Sequence, residues 1–135
     1  MNAFRILFKT NRFNLSKVGG HFINPCCFGE DLAAWLRIRL IERDAEVLQS
    51  YQEDWGWELP AILERDSYYL CISGYSDEST TNKDEGEWGI IVEKRRSIGQ
   101  RLRGAGKIAA NDKMVETIEE ILRAEPTVRE VHREE

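Results

Sequence analysis

The sequence has few of the residues on which metal and catalytic chemistry depend. Its two histidines, His21 and His132, stand far apart, and neither belongs to a His-x-x-x-His pair. The acidic residues do not follow the Asp-x-Asp-x-Asp-Gly order of a calcium loop, and no serine lies in a Gly-x-Ser-x-Gly elbow. The sequence therefore predicts no metal site, no cofactor and no recognisable set of catalytic residues.

Phosphate-binding loops are also lacking. The run Gly104-Ala105-Gly106-Lys107 has Arg101 where a P-loop needs its first glycine and Ile108 where it needs Ser or Thr. The looser pattern Gly104-x-Gly106-x-x-Ala109 does not sit at the strand-to-helix turn of a βαβ unit. Neither pattern indicates a nucleotide-binding fold.

Cysteines and long apolar runs are scarce as well. Cys26, Cys27 and Cys71 are an odd number, and adjacent cysteines rarely pair with each other, which favours a reducing compartment. The apolar patch near the N-terminus is broken by Arg5 and Lys9, and no stretch approaches the ~20 apolar residues of a membrane span. We expect a cytoplasmic protein without a membrane partner.

What is present is the composition of one small globular domain covering residues 1–135. Hydrophobic residues make up 41% and charged residues 32% of the chain, values that exclude a largely disordered protein. The net charge of -5 argues against a protein that wraps nucleic acid with its whole surface. A local basic site stays compatible with this composition.

Hydrophobic periodicity predicts the elements of an α+β fold. Alternation indicates strands near residues 4–8, from 46–49 continuing into 55–59, at 67–73, at 88–93 and at 128–131. Helical spacing indicates helices at 30–44 and around 114–122, the second with Asn111 or Asp112 as its N-cap. We predict two layers, with an antiparallel or mixed four- to five-stranded sheet and two helices on one face. Residues 1–20 are expected to form an edge strand or a loosely ordered extension.

Two runs, Glu53-Asp54-Trp55-Gly56-Trp57 and Glu87-Trp88-Gly89, contain three of the four tryptophans. A glycine beside an aromatic residue in a strand allows close approach of a neighbour, so the two strands are predicted to be adjacent. Tryptophan faces attract cations, and the surrounding acids would suit a basic partner. The alternative is that the rings belong to the core. The candidate acidic aromatic site comprises Glu53, Asp54, Trp55, Trp57, Glu87 and Trp88.

A basic stretch follows at residues 94–107, with six positive charges and no acid. Glycines between the cations could add backbone amides to an anion site for phosphate or nucleic acid. The candidate residues are Arg95, Arg96, Arg101, Arg103 and Lys107. The alternative is solvated surface, with the charge neutralised inside the protein by Glu116, Glu119 and Glu120.

Cys26 and Cys27 precede the first predicted helix, whose dipole could lower the pKa of a thiol, and His21 is near in sequence. A small thiol enzyme is therefore one hypothesis, and simple packing of the two cysteines under the helix is the other. Cys71, between Leu70 and Ile72, is expected to be a buried strand residue.

The runs Phe28-Gly29-Glu30-Asp31-Leu32-Ala33-Ala34-Trp35-Leu36, Glu53-Asp54-Trp55-Gly56-Trp57 and Val92-Glu93-Lys94-Arg95-Arg96-Ser97 resemble a group of short uncharacterised bacterial proteins. The similarity would cover residues 20–132 and leave residues 1–20 outside. It implies a small stand-alone domain and carries over no activity, cofactor or site residue.

The leading functional hypothesis is a non-enzymatic protein-binding or regulatory domain, of the immunity or toxin-neutralising kind, that binds a basic protein through its acidic aromatic surface. This label rests on size, acidity and missing chemistry. The alternatives are a phosphate or nucleic-acid binder working through residues 94–107 and a small cysteine-dependent enzyme.

Overall fold

The computed structural model describes residues 3–13, 29–53, 56–76 and 86–134. These residues form seven strands and three helices. In chain order the elements are β1 (Ala3–Thr10), α1 (Glu30–Ile41), β2 (Glu46–Val47), β3 (Tyr51–Glu53), β4 (Gly56–Leu63), β5 (Asp66–Ser76), β6 (Gly86–Lys94), α2 (Ile98–Arg103), α3 (Lys113–Ala124) and β7 (Val128–Glu134).

All the strands pair antiparallel in one open sheet with the order β2-β4-β5-β6-β1-β7, and β3 also pairs with β4. The α+β class is confirmed, whereas the expected four to five strands and two helices are too few for the described residues. β1 lies between β6 and β7, so the edge strand or loose extension expected for the first residues is wrong for residues 3–10.

Strand alternation places the hydrophobic core on one face of the sheet. The middle strand β5 buries Tyr68, Leu70 and Ile72, and each of its neighbours buries alternate residues in register with them. The matching residues of the other long strands are Trp57, Leu59 and Ala61 in β4, Trp88, Ile90 and Val92 in β6, and Phe4, Ile6 and Phe8 in β1.

Helices α1 and α3 cover this face, and each buries one row of apolar residues against it. The buried residues of α1 are Leu32, Ala33, Leu36 and Leu40, and they share the core with Met114, Val115, Ile118, Ile121 and Leu122 of α3. The carboxylate of Asp112 accepts hydrogen bonds from the backbone N–H groups of Met114 and Val115, which identifies it as the N-cap of α3. Within the part of the chain that the structure describes, no helix has the length and apolar character needed to cross a membrane.

The prediction that the two tryptophan-glycine strands are neighbours is wrong, because β5 lies between β4 and β6. Close approach to glycine does occur, but at another glycine. Gly74 of β5 faces Trp88 across the ladder, and a Cβ at residue 74 would lie 2.4 Å from Cζ3 of the indole. The missing side chain therefore provides the room for the ring.

A buried polar cluster attaches α3 to one end of the sheet. The hydroxyl of Tyr68 donates a 2.9 Å hydrogen bond to the second carboxylate oxygen of Asp112. The ammonium of Lys94 lies 3.3 Å from Asp66 and 3.8 Å from Asp112. Burial, followed by the hydrogen bond to the Asp112 carboxylate, raises the pKa of Tyr68 well above its usual value.

We expect Gly74→Ala to lower the free energy of unfolding by about 1 to 3 kcal/mol, because the new methyl group collides with the buried Trp88 ring. Gly99→Ala is the matched control, since a Cβ there meets only the flexible side chain of Arg103 at 3.2 Å and alanine favours a helix. Urea unfolding measures both variants. Equal stability of the two variants would contradict the packing argument.

A second prediction concerns alkaline pH. The folded-state pKa of Tyr68 lies above the unfolded value of about 10, so the unfolded chain releases the proton first. The stability that Tyr68 contributes is therefore complete below about pH 10 and is lost as the pH rises further. Tyr68→Phe should lower stability by about 1 kcal/mol at pH 7 through the lost hydrogen bond, and should flatten the fall above pH 10. Denaturation series at several pH values measure both effects. An unchanged alkaline slope would disprove the assignment.

Candidate functional site

The sheet face opposite the helices is the candidate site. Its described side chains are exposed or half-buried, and none of them belongs to the hydrophobic core. One row crosses six strands in register and contains Tyr51, Glu58, Cys71, Ile91, Arg5 and Glu134. This open face divides into an acidic part and a part of mixed charge.

The acidic half-face consists of Tyr51, Glu53, Glu58, Tyr69, Cys71, Ile91 and Glu93, on β3 to β6. The hydroxyl of Tyr51 donates a hydrogen bond to the Glu58 carboxylate, which raises the pKa of the tyrosine well above its usual value. Among the described residues, no cation pairs with Glu53, Glu58 or Glu93. The half-face therefore presents negative charge beside aromatic and aliphatic surface.

Cys71 lies in the middle of the acidic half-face as a half-buried free thiol. Burial raises its pKa to about 12, and the negative charges of Glu58 and Glu93 add to the effect. The thiol is therefore protonated at neutral pH and cannot act as a ready nucleophile. Cys71, expected to be buried, is only half-buried, because odd-numbered residues of β5 point to the open face.

The mixed half of the open face surrounds a hollow of about 740 Å³ beside β1, β6 and β7. Lys9 bridges Glu130 at 3.1 Å and Glu87 at 3.6 Å across its rim. Hydrogen bonding and the charge of Glu130 raise the pKa of Lys9. Gly89 and Leu7 are neighbours in its lining, and a Cβ at residue 89 would lie 3.3 Å from Cδ2 of Leu7. Its charges are paired with one another, unlike those of the acidic half-face.

The predicted acidic aromatic site is found only in part. Two of its acids lie on the open face, whereas its described tryptophans are buried on the other face. Trp57 and Trp88 are 4% and 1% exposed, so their rings belong to the core and provide no binding surface. Glu53 and Glu87 lie on the open face, where Glu87 is paired with Lys9. Asp54 and Trp55 lie outside the described residues.

The basic stretch forms a compact loop that we call the basic loop, residues 95–107. It contains α2, a helix that periodicity did not predict and that buries none of its residues. Ser97 and Gln100 cap α2 reciprocally, each side chain bonding the other's backbone N–H at 3.1 and 2.9 Å. Gly104 ends it in the left-handed conformation. The Ser97-x-x-Gln100 spacing and Gly104 are sequence signals that could have revealed this helix.

Within the described ranges, none of the three acids expected to neutralise this stretch does so. Glu119 pairs with Arg133 and Arg123, Glu120 pairs with Arg43, and Glu116 has no cation partner there. Among the described residues, Lys94 is the one cation of the stretch with acidic partners. The guanidinium of Arg95 lies 5.0 Å from the Tyr69 ring centre, and Arg96 bonds the Ala105 carbonyl. Arg101, Arg103 and Lys107 are exposed and have no carboxylate partner within the described ranges.

Cys26, Cys27 and His21 lie outside the described residues. Over the described ranges, no three His, Cys, Asp or Glu side chains are grouped as metal ligands.

Neither a protein-family model, nor a curated protein, nor a solved structure matches this chain. The resemblance to short uncharacterised bacterial proteins therefore stays a prediction.

Alkylation of Cys71 tests the electrostatics of the open face. In a Cys26→Ser/Cys27→Ser background at pH 8, the pKa of about 12 leaves roughly one thiol in ten thousand ionised. We expect iodoacetamide to react at least ~100-fold more slowly than with the unfolded chain, because the thiolate is the reactive form. Adding Glu58→Gln/Glu93→Gln should speed the reaction. A folded-state rate equal to that of the urea-unfolded chain would contradict the raised pKa.

Proposed function

We propose that this protein is a non-enzymatic binding domain of the cytoplasm that recognises a basic protein partner through the acidic half-face. The observation that carries the proposal is a sheet face left open by the described helices. On it, Glu53, Glu58 and Glu93 lie beside Tyr51 and Tyr69 and have no cation partner among the described residues. An uncompensated acidic surface attracts cationic partners and accelerates their association.

The aromatic residues of the half-face suit the same partner. The guanidinium of Arg95 lies 5.0 Å from the centre of the Tyr69 ring, a geometry that suits a cation on this part of the half-face. Tyr51 is 42% exposed at the edge of the sheet, next to Glu53 and Glu58. Tyrosine and arginine are both enriched where protein interfaces gain most of their energy. A small acidic domain of this kind fits an immunity protein that neutralises a basic toxin, and we propose that role as the specific form of the function.

Phosphate or nucleic-acid binding through the basic loop is the second candidate. It is favoured by the exposed cations Arg101, Arg103 and Lys107, which have no carboxylate partner among the described residues. The exposed aliphatic side chains of Ile98 and Leu102 in the same loop weigh against this candidate, because phosphate groups offer them no apolar contact. A thiol enzyme gains no support from Cys71, and its other candidate thiols lie outside the described residues.

The proposal predicts specific binding of a cationic, amphipathic peptide to the acidic half-face. A fluorescein-labelled peptide of alternating Lys and Leu should lose affinity about tenfold or more when Glu53, Glu58 and Glu93 are changed to Gln, because each lost carboxylate removes an attractive charge. The matched control changes Glu42, Glu64 and Glu116 to Gln, which removes the same charge from other surfaces. Fluorescence anisotropy measures both. Equal loss in the two triple variants would mean nonspecific attraction and would overturn the proposal.

A further inference from the structure

Hydrogen bonds fix the conformation of the basic loop, although none of its side chains belongs to the hydrophobic core. Its two ends are joined near the sheet, since Lys94 just before it pairs with Asp112 just before α3. Inside it, the Ala105 N–H donates to the Gln100 carbonyl at 2.8 Å, and Arg96 bonds the Ala105 carbonyl at 3.3 Å. Local hydrogen bonds thus define the shape of a segment that contributes nothing to the core. Such a segment is ready for recognition, because little further ordering is required on binding.

The basic loop also exposes apolar surface. Ile98 and Leu102 are 78% and 84% exposed, and their i, i+4 spacing places them on the same side of α2. The same loop carries the cations Arg95, Arg101, Arg103 and Lys107. The complementary surface must therefore combine apolar contact with negative charge.

This combination favours a protein surface over nucleic acid. Phosphates would satisfy the arginines, but Ile98 and Leu102 would gain no apolar burial from a nucleic-acid backbone. An acidic protein face with aliphatic and aromatic residues would use both kinds of side chain, and burial of Leu or Ile is worth about 1.5 to 3 kcal/mol each.

The acidic half-face has the required chemistry. It presents Glu53, Glu58 and Glu93 beside Tyr51 and Ile91, with Ile62 42% exposed next to it. Among the described residues, Glu53, Glu58 and Glu93 have no cation partner, and Arg101, Arg103 and Lys107 have no carboxylate partner. A second copy of the chain would offer each surface its complement.

We propose that the basic loop of one copy of this protein docks on the acidic half-face of a second copy. The inference rests on the proposed function, because it names a second copy as a basic partner of that same face. Reciprocal docking of both loops would close a two-fold dimer, whereas one-sided docking would continue head to tail. The net charge of -5 per copy repels at long range, but screening at about 0.1 M salt limits that repulsion to roughly 10 Å and leaves the contact charges effective.

Sedimentation velocity between about 1 and 300 µM protein at 0.1 M salt tests the proposal. We expect concentration-dependent association that weakens about tenfold or more at 0.5 M salt, as charge pairing at an interface should. Arg101→Glu/Arg103→Glu in the loop should abolish it, and so should Glu53→Lys/Glu93→Lys on the face. An equimolar mixture of these two variants should associate again, because each restores the complement of the other.

Matched controls separate the contact from net charge and general hydrophobicity. Glu64→Lys/Glu116→Lys makes the same charge change at residues that belong to neither surface and should leave association intact. Ile98→Ser/Leu102→Ser should weaken it about tenfold or more, whereas Ile38→Ser/Leu48→Ser, which changes exposed aliphatic residues elsewhere, should not. Circular dichroism checks that each variant is folded.

A monomer at every concentration, or charge-reversed variants that fail to associate when mixed, would overturn the inference. Micromolar binding of labelled poly(U) RNA or of phosphatidylserine vesicles, lost in Arg101→Glu/Arg103→Glu while the chain stays monomeric, would assign the loop to another ligand and also overturn it.

The Lys-Leu peptide distinguishes the two proposals. If it binds the acidic half-face of a monomeric chain, the inference fails and the proposed function stands; if it does not bind, the proposed function fails.

Discussion

Apolar burial on a single face of the sheet is the constraint on which the other features depend. Successive side chains of a strand point to opposite faces, so the alternate large residues of four long strands can meet only on one side. Full burial of each such side chain contributes about 1.5 to 3 kcal/mol, and a one-residue slip in register would expose the whole set. Helices α1 and α3 cover that face with matching apolar stripes. The described helices therefore leave the opposite face open. Because the side chains on that face do not pack in the core, they need not be apolar.

The polar cluster at the end of the sheet has the second largest influence on the architecture. Asp112 caps α3 with one carboxylate oxygen and accepts from Tyr68 with the other, while Lys94 balances its charge. A buried carboxylate held by several hydrogen bonds and a cation is tolerated where an unpaired one would not be. Because Lys94 ends β6 and Asp112 precedes α3, this contact closes the base of the intervening segment. The basic loop can consequently project into solvent without weakening the core.

The protein therefore has separate acidic and basic surfaces, which its net charge of -5 does not reveal. The open face of β3 to β6 carries carboxylates without cation partners, and the loop at the end of β6 carries arginines without acid partners, within the described residues. Solvent-exposed ion pairs are worth little, so folding alone gives no strong reason either to form or to avoid them. The exposed Ile98 and Leu102 are harder to explain by folding, since their burial would have been favourable and the chain leaves them in water. The loop and the open face therefore each combine charge with apolar exposure within the described residues.

The sequence by itself determined the element types, because period-2 and period-3.6 patterns reflect local geometry: the alternation of Phe4, Ile6 and Phe8, the stripe of α1 and the cap at Asp112 all appear in the structure. Prediction of α2 failed because its signal lay in a short capping box and not in hydrophobic periodicity. Only the tertiary structure decided which strands are neighbours, which glycine accommodates Trp88, and that Glu119 and Glu120 pair away from the basic loop. These are contacts between residues that are far apart in the chain, and a single sequence does not show which of its distant residues meet in space. For the same reason the candidate site contains tyrosines where the sequence suggested tryptophans. The helices decide which face of the sheet is buried, and the tryptophans lie on that face.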